Sequence, residues 1–472
     1  MNDASSGPPR GGMLELVHVA FPLVLASSGH TFRLFADRIM LARYSPEALA
    51  GSMPAGLLCF TLMAFFIGTV GYVNTFVAQF TGAGQPRSTG LAVWQGIYLS
   101  AMGGIAVASV SLFSEPIFAA MEHSPEVQAE EVRYFNVLCW LSFPGIALSS
   151  LNAFWSGRGK TRVVMVIELF CAGVNVGLNA LLIFGLWIFP ELGIVGAGLA
   201  TALANAAGLL LAMSLFLSRS NRETFGSWPD KTFDMVLFRR VIRYGLPSGL
   251  QFGFDLLAFM FFIAILGKYG NQELIASNIA FALNSLTYLP LIGLGVAVSV
   301  LVGQSIGASE IARARRSVRS ALYVALMFNL VVGGLFLLYP EPIVSIFSRP
   351  GDAGHDEALL MAQRCIAFIA GFLLFDAVYM VCSHAIKGAG DTRFALIAGA
   401  ILSWGSLALP SYIAFRLGAS FWTLWTILVV HVFIASAVFS LRYWGGKWQE
   451  MRVIDSAPAV SAELDIQADR GL

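Results

Sequence analysis

The chain has 472 residues, 57% of them hydrophobic and 12% charged, with a formal net charge of +1 and a mean hydropathy of +0.74. Soluble domains carry roughly 25% charged residues, so this composition excludes an ordinary soluble globule, and the near-zero charge argues against a nucleic-acid partner. Forty-seven glycines and 37 phenylalanines point instead to a polytopic membrane protein in which glycine lets helices approach closely.

A spanning helix needs about 20 mainly apolar residues. After the polar start "MNDASSGPPRGG" the chain offers about twelve such segments, over roughly 14–42, 54–80, 89–113, 132–155, 163–187, 192–217, 241–267, 278–303, 318–339, 361–386, 394–415 and 420–443. The fold class expected is therefore an all-α membrane protein. Runs without strand-like alternation speak against a β-barrel. The first run is long and carries Arg33 and Asp37, so no cleavable signal is expected. The five cysteines, Cys59, Cys139, Cys171, Cys365 and Cys382, lie scattered in apolar segments and read as small buried hydrophobes.

Lysine and arginine in the loops orient the spans. With the N-terminus inside, the inner loops carry Arg87, then Arg158, Lys160 and Arg162, then Arg219, Arg222, Lys231, Arg239 and Arg240. Arg313, Arg315, Arg316, Arg319, Lys387 and Arg393 follow, and the tail adds Arg442, Lys447 and Arg452. The opposite loops offer only Arg43, Lys268, Arg349 and Arg416, and the connection 114–131 holds five glutamates and no Lys or Arg. Both termini are expected in the cytoplasm, with the protein spanning the plasma (inner) membrane.

The second half of the sequence echoes the first. A shift of 225 positions lays Pro22 on Pro247, Gly68 on Gly293, Gln79 on Gln304 and Gly82 on Gly307. Further on, a shift of 231 lays "GRGKTR" (157–162) on "GAGDTR" (388–393). Six spans per half, starting on the same side, make a parallel repeat whose substrate path lies between the halves. The domains expected are an N-terminal tail (1–13), an N-lobe (14–217), a linker (218–240), a C-lobe (241–443) and a C-terminal tail (444–472), with 455–472 disordered.

"SGRGKT" (156–161) resembles part of a nucleotide-binding loop, but Phe154 stands where the pattern needs its first glycine. His18, His123 and His355 fall at segment ends or in loops and read as solvated. No catalytic or metal-ligand spacing is present, so neither an enzyme nor a resident cofactor or metal is expected.

Charges at membrane depth are functional candidates. His30, Arg33 and Asp37 fall within an arc of about 60° on the first span. Asp37 is expected to face the interior, and Arg38, about 100° away, the lipid headgroups or a partner. Burial favours a neutral Asp37, while Arg33 favours an ionised one. The bland alternative is that the two simply neutralise each other at i, i+4, and the sequence leaves this open. Glu168 reads equally as a gate or an interfacial residue. Asn175 and Asn179 share a face of the fifth span, and Thr201 follows in the sixth. Asp255 and Asp376 are acids of the second half that have no acidic counterpart in the first. Phe60, Phe252, Phe281 and Tyr288 are candidate cavity-lining aromatics.

The stretches "ADRIMLARYSPEALAG" (36–51), "VAQFTGAG" (77–84), "NVGLNALLIFGLWIFPELGIVGAGLAT" (175–201) and "FDAVYMVCSHAIKGAGDTR" (375–393) resemble the multidrug and toxic compound extrusion (MATE) family of secondary transporters over about residues 14–443. The resemblance implies two pseudo-symmetric six-helix lobes around a V-shaped cavity, and export of amphiphilic, mostly cationic compounds in exchange for H⁺ or Na⁺. It implies a cation or proton site from Asp37, Asn175, Asn179 and Thr201, although some members carry Asp where Asn179 stands. It implies a second-lobe cation or substrate site from Asp255 and Asp376. His30, Arg33 and Glu168 are candidate modulators, and Arg33 lies outside the family pattern. The partners expected are small amphiphilic substrates and the bilayer, with the protein a monomer and a transported Na⁺ the only metal in play. The alternative is a lipid-linked oligosaccharide or precursor flippase of the same broad superfamily.

Overall fold

In the lipid interior no water is present to satisfy backbone N–H and C=O groups, so apolar segments coil into helices that bond to themselves. The computed structural model describes residues 11–347 and 353–455. Its long helices are α1 (Met13–Tyr44), α2 (Pro46–Gly82), α3 (Pro86–Ala119), α4 (Pro125–Trp140, bent by 44° into Phe143–Gly157), α5 (Thr161–Ile183) and α6 (Gly193–Phe216). The second set is α7 (Met235–Leu266), α8 (Asn271–Gly307), α9 (Ile311–Leu338), α10 (Ala353–Ala389), α11 (Thr392–Arg416) and α12 (Phe421–Trp444). Among the described residues, eleven helices can cross a membrane by length and apolarity, and the bent α4 makes the twelfth. No strand occurs among the described residues.

Several helices overrun their apolar stretches, because a helix continues until its end is capped rather than until its hydrophobicity stops. Ser45 accepts from the backbone N–H of Ala48 at 3.1 Å and starts α2 well before residue 54. Asp234 accepts from the N–H groups of Val236 and Leu237, which starts α7 inside the expected linker. The rest of that linker holds a short helix, Arg219–Phe225. Much of the expected loop 114–131 is likewise helical, in Ser114–Ala119 and from Pro125 onward. The tail beyond residue 455 lies outside the described residues, as do the side chains of His30 and His355.

Helices α1–α6 pack among themselves, as do α7–α12, and the halves meet along α1 with α8 and α2 with α7. Small residues set this seam. A Cβ on Gly249 would run into the Phe65 carbonyl oxygen, and one on Gly68 would lie 2.8 Å from the Gly249 Cα.

Residues paired by the internal repeat meet across the seam. Gly82 is closed over by the Gln304 backbone and Gly307 by the Gln79 backbone. Gln79 Nε2 donates to Gly388 O at 3.1 Å, and Gln304 Nε2 donates to Gly157 O at 2.8 Å. Gly157 and Gly388 are themselves repeat partners, so the two glutamines make reciprocal bonds about a pseudo-two-fold axis. The turns that follow use their glycines identically: Gly159 and Gly390, also repeat partners, have φ of +75° and +120°, a region that disfavours residues with a Cβ. All of these contacts lie at the arginine-rich end of the bundle, where the C-terminal segment also inserts and the Val453 N–H donates to Gln79 Oε1 at 2.9 Å.

Candidate functional site

Asp37 sits about three-quarters of the way along α1 and is 6% exposed, whereas Arg38 beside it is exposed. Helices α5 and α6 pack against α1 and against each other, and this brings the four first-half residues together. Asn179 Nδ2 donates to Asp37 Oδ1, and Thr201 Oγ1 lies 3.5 Å from Asp37 Oδ2. Asn175 ties the set together, accepting from Asn179 Nδ2 at 3.2 Å and donating to Thr201 Oγ1 at 3.3 Å. The i, i+4 spacing of the asparagines puts both amides on one face of α5. The carboxyl thus sits among neutral amide and hydroxyl donors from two neighbouring helices.

The ion pair of Arg33 is made with a different carboxylate. Its Nη2 lies 3.2 Å from Glu168 Oε2, and its Nη1 donates to Asn205 Oδ1 at 3.0 Å. Glu168 Oε1 in turn accepts from Asn152 Nδ2 at 2.9 Å. Glu168 therefore serves in this structure as the counter-ion of Arg33 on α5. Its carboxylate faces the guanidinium directly, while Asp37 is already engaged by donors from α5 and α6.

In the second half, Asp255 on α7 accepts from Ser403 Oγ at 2.5 Å. Ser403 opens a π-helical stretch, Ser403–Ala408, within α11. Such a turn holds an extra residue, rotates the side chains that follow, and recurs at functional sites. Ser406 in the same stretch bonds His431 Nδ1 of α12 at 2.8 Å. Asp376 is half-buried on α10. Tyr288 of α8 and Tyr379 of α10 lie within electrostatic reach of both Asp255 and Asp376. Lys387 lies within reach of Asp255. The sequence pattern puts it in a loop, but α10 runs on to Ala389, so Lys387 belongs to a helical turn. Asp255, Asp376, Tyr288 and Tyr379 thus group together in the second half.

The remaining expectations resolve unevenly. The Phe60 and Phe252 rings meet edge-on across α2 and α7 at 6.5 Å, whereas Phe281 is packing, stacked 5.2 Å from Trp425. His123 pairs with the fully buried Glu131 at 2.8 Å and is not merely solvated. All five cysteines are buried. The "SGRGKT" segment presents no open phosphate cradle. Arg158 lies 3.9 Å from the Phe225 ring and 4.5 Å from the Phe154 ring, and partial burial lowers its pKa to about 10. This cation–π contact fastens the linker helix to the end of α4. Sequence reasoning missed Asn152, Asn205, Ser403, Tyr379 and the siting of Lys387. Neutral polar residues inside spans were the only signal for most of them.

Among the described residues, eleven span-capable helices and the bent α4, arranged in two halves with carboxyl groups buried among them, define an integral multi-pass membrane protein. The MatE family model matches residues 22–181 and 247–413, taking in most of each half, and the chain belongs to this family of MATE transporters. It is 28% identical over 467 residues to the probable multidrug resistance protein NorM of Pseudomonas putida, covering 98% of this chain and 99% of that one. It is 28% identical over 449 residues to the multidrug resistance protein PmpM of Pseudomonas aeruginosa, covering 92% and 91% respectively. Among solved structures, the outward-facing conformation of a multidrug resistance MATE family transporter of the MOP superfamily is similar with a TM-score of 0.83 at 19% identity, covering 93% of this chain and 97% of that one. A MOP superfamily transporter from Pyrococcus furiosus, described by the reverse polarity of its binding pocket, has a TM-score of 0.83 at 19% identity, covering 93% and 96%. These two likenesses speak to the fold.

Proposed function

We propose that this protein is a secondary active transporter that exports amphiphilic, cationic organic compounds by alternating access, in exchange for H⁺. The observation that carries the reading is Asp37, a carboxyl buried among spans and held by Asn179 and Thr201. Neutral donors leave it able to gain and lose a positive partner without breaking an ion pair of its own. Asn179 stands where some family members carry Asp, and a hard cation such as Na⁺ wants carboxylate oxygen; one fewer acid favours the proton. Asp255 and Asp376 receive the substrate amine or carry a further coupling ion. The basic end of the bundle faces the cytoplasm of an inner-membrane protein, with both termini there. Helix contacts and reciprocal glutamine bonds close that end in this structure. The names of the relatives, as multidrug resistance proteins, agree with export. The protein works as a monomer, without a cofactor and without covalent chemistry. A flippase for pyrophosphate-linked lipids would need a basic cavity; Arg33 is engaged by Glu168 and Asn205, which speaks against that alternative.

The test is efflux of a cationic dye from proteoliposomes under an imposed pH gradient, repeated with an imposed Na⁺ gradient. Transport driven by the pH gradient alone is expected. Transport driven only by Na⁺ would overturn the choice of ion, and no dye movement under either gradient would overturn the function.

A further inference from the structure

One turn along α1 from Asp37, Arg33 is 8% exposed. Arginine keeps its charge in proteins, so this cation is permanent and must be answered by the groups around it. Two carboxyls compete for it: Glu168 of α5, which it bonds at 3.2 Å, and Asp37, four residues further on the same helix. Asn152 of the second part of α4 fixes Glu168, and Asn205 of α6 holds the other arm of the guanidinium. The network therefore ties α1, α4, α5 and α6 together immediately beside the Asp37 site.

Stability alone gives little reason to keep such a pair, because replacing a buried ion pair by apolar side chains is often neutral or stabilising. Its placement gives a reason. We propose that Glu168 parks the Arg33 guanidinium away from Asp37 and that this pair tunes how tightly Asp37 holds its proton. Arg33 and Glu168 are positioning residues in this scheme, and the inference rests on the reading of Asp37 as the exchange site. With Arg33 answered by Glu168, a protonated Asp37 leaves the cluster neutral, and an ionised Asp37 leaves one negative charge. A sliding of α5 along α1 that lengthens the Arg33–Glu168 contact turns the guanidinium toward Asp37 and expels the proton. Helix movement and proton release are thereby linked.

Asn175 and Asn179 of α5 and Thr201 of α6 are neutral. Tyr134 of α4 lies within electrostatic reach of Asp37, of Cys59 of α2 and of Arg38 of α1 itself, and Cys171 of α5 lies within reach of Arg33 and Glu168. Helix α8, which touches α1 where Gly293 meets Val24, carries Glu273 as its only charged residue, in its first turn. The charged contact between α9 and α1 is Arg313 with Glu15, at the far end of α1.

The experiment titrates the protonated-carboxyl infrared band of Asp37 in the purified protein, identified in each background by its loss in Asp37→Asn. It requires no transport, so it is read independently of the proposed function: a failure of dye efflux leaves it intact, and its failure leaves proton-driven efflux intact. Glu168→Gln removes the counter-ion of the guanidinium, and the band midpoint is expected to fall by about one pH unit, the scale of one unit charge a helical turn away. Arg33→Gln should raise it by a similar amount, Arg33→Lys should hold it near wild type, and Arg33→Gln combined with Glu168→Gln should bring it back between the single variants. A merely structural pair would move both single variants in the same direction or not at all, and either result overturns the proposal. The charge-retaining Arg33→Lys variant keeps the test decisive if a neutral variant fails to fold: a midpoint displaced upward by as much as one pH unit in Arg33→Lys would also overturn it.

Discussion

Replacing Gln79 by leucine should release the closed, basic end of the bundle. Gln79 is fully buried; its Nε2 donates to Gly388 O at 3.1 Å and Ala389 O at 3.3 Å, and its Oε1 accepts from the Val453 N–H at 2.9 Å. Leucine has a similar volume and makes none of these bonds. A buried donor or acceptor left unsatisfied costs about 1–3 kcal/mol. The Val453 N–H and at least one of the two carbonyls are stranded, which puts the loss at about 3 kcal/mol. That lowers the ratio of closed to open states roughly a hundredfold, because about 1.4 kcal/mol is tenfold. Spin labels at the exposed positions Arg87 and Glu310, one in each half, report this opening by pulsed electron resonance. A single short distance should dominate in the parent, and a longer population should grow in Gln79→Leu. Gln304→Leu loses only the bond to Gly157 O at 2.8 Å and should give a smaller change. An unchanged distribution in folded Gln79→Leu would refute the assignment of the two glutamines as a latch.

Gly249→Val drives a methyl-bearing Cβ into the Phe65 carbonyl and the Thr69 hydroxyl; α2 and α7 must separate, and the detergent-solubilised protein should lose several degrees of thermal stability, whereas the same change at Gly71, which meets nothing within 4 Å, should not. Ser403→Ala removes the 2.5 Å hydrogen bond to Asp255, worth about 1.5–3 kcal/mol for a charged acceptor. If Asp255 contacts the substrate amine, dye affinity should change about tenfold or more in a fluorescence titration, and an unaltered affinity would make Ser403 a packing residue. Asp376→Asn, with no comparable tie to α11, should alter dye affinity without altering the effect of Ser403→Ala.

How much of this was readable in advance follows from which interactions are local. The spans were legible because about twenty apolar residues in a row have few alternatives to a membrane helix. The repeat was legible too, and its alignment of Gln79 with Gln304 and of Gly157 with Gly388 turned out to name the partners of two reciprocal bonds. Asp37, Asn175, Asn179 and Thr201 were grouped through family resemblance, and packing of α1, α5 and α6 brings them into contact. The partner of Arg33 was not legible. Asp37 was the near candidate along the helix, whereas Glu168 is 135 residues away and reaches Arg33 only through the rotation of α5 about its own axis. Ser403 was hidden for another reason: an α-helical wheel assumes a constant turn, and the π-helical stretch in α11 breaks that assumption just where the serine meets Asp255. Helix ends were misplaced wherever a cap such as Ser45 or Asp234 extended the helix beyond its apolar stretch, and a similar overrun at the end of α10 moved Lys387 from a loop into the helix.

In the proposed cycle Asp37 takes up a proton and gives it up again as substrate binds. The direct measurement is proton release when a cationic dye is added to purified protein in weakly buffered solution, followed with a pH indicator, for the parent and for Asp37→Asn. Close to one proton is expected to be released per dye bound by the parent at a pH where Asp37 is protonated, and that proton is expected to be lost in Asp37→Asn with dye still bound. Equal release from both proteins, or dye binding by the parent with no release at any pH, would contradict it.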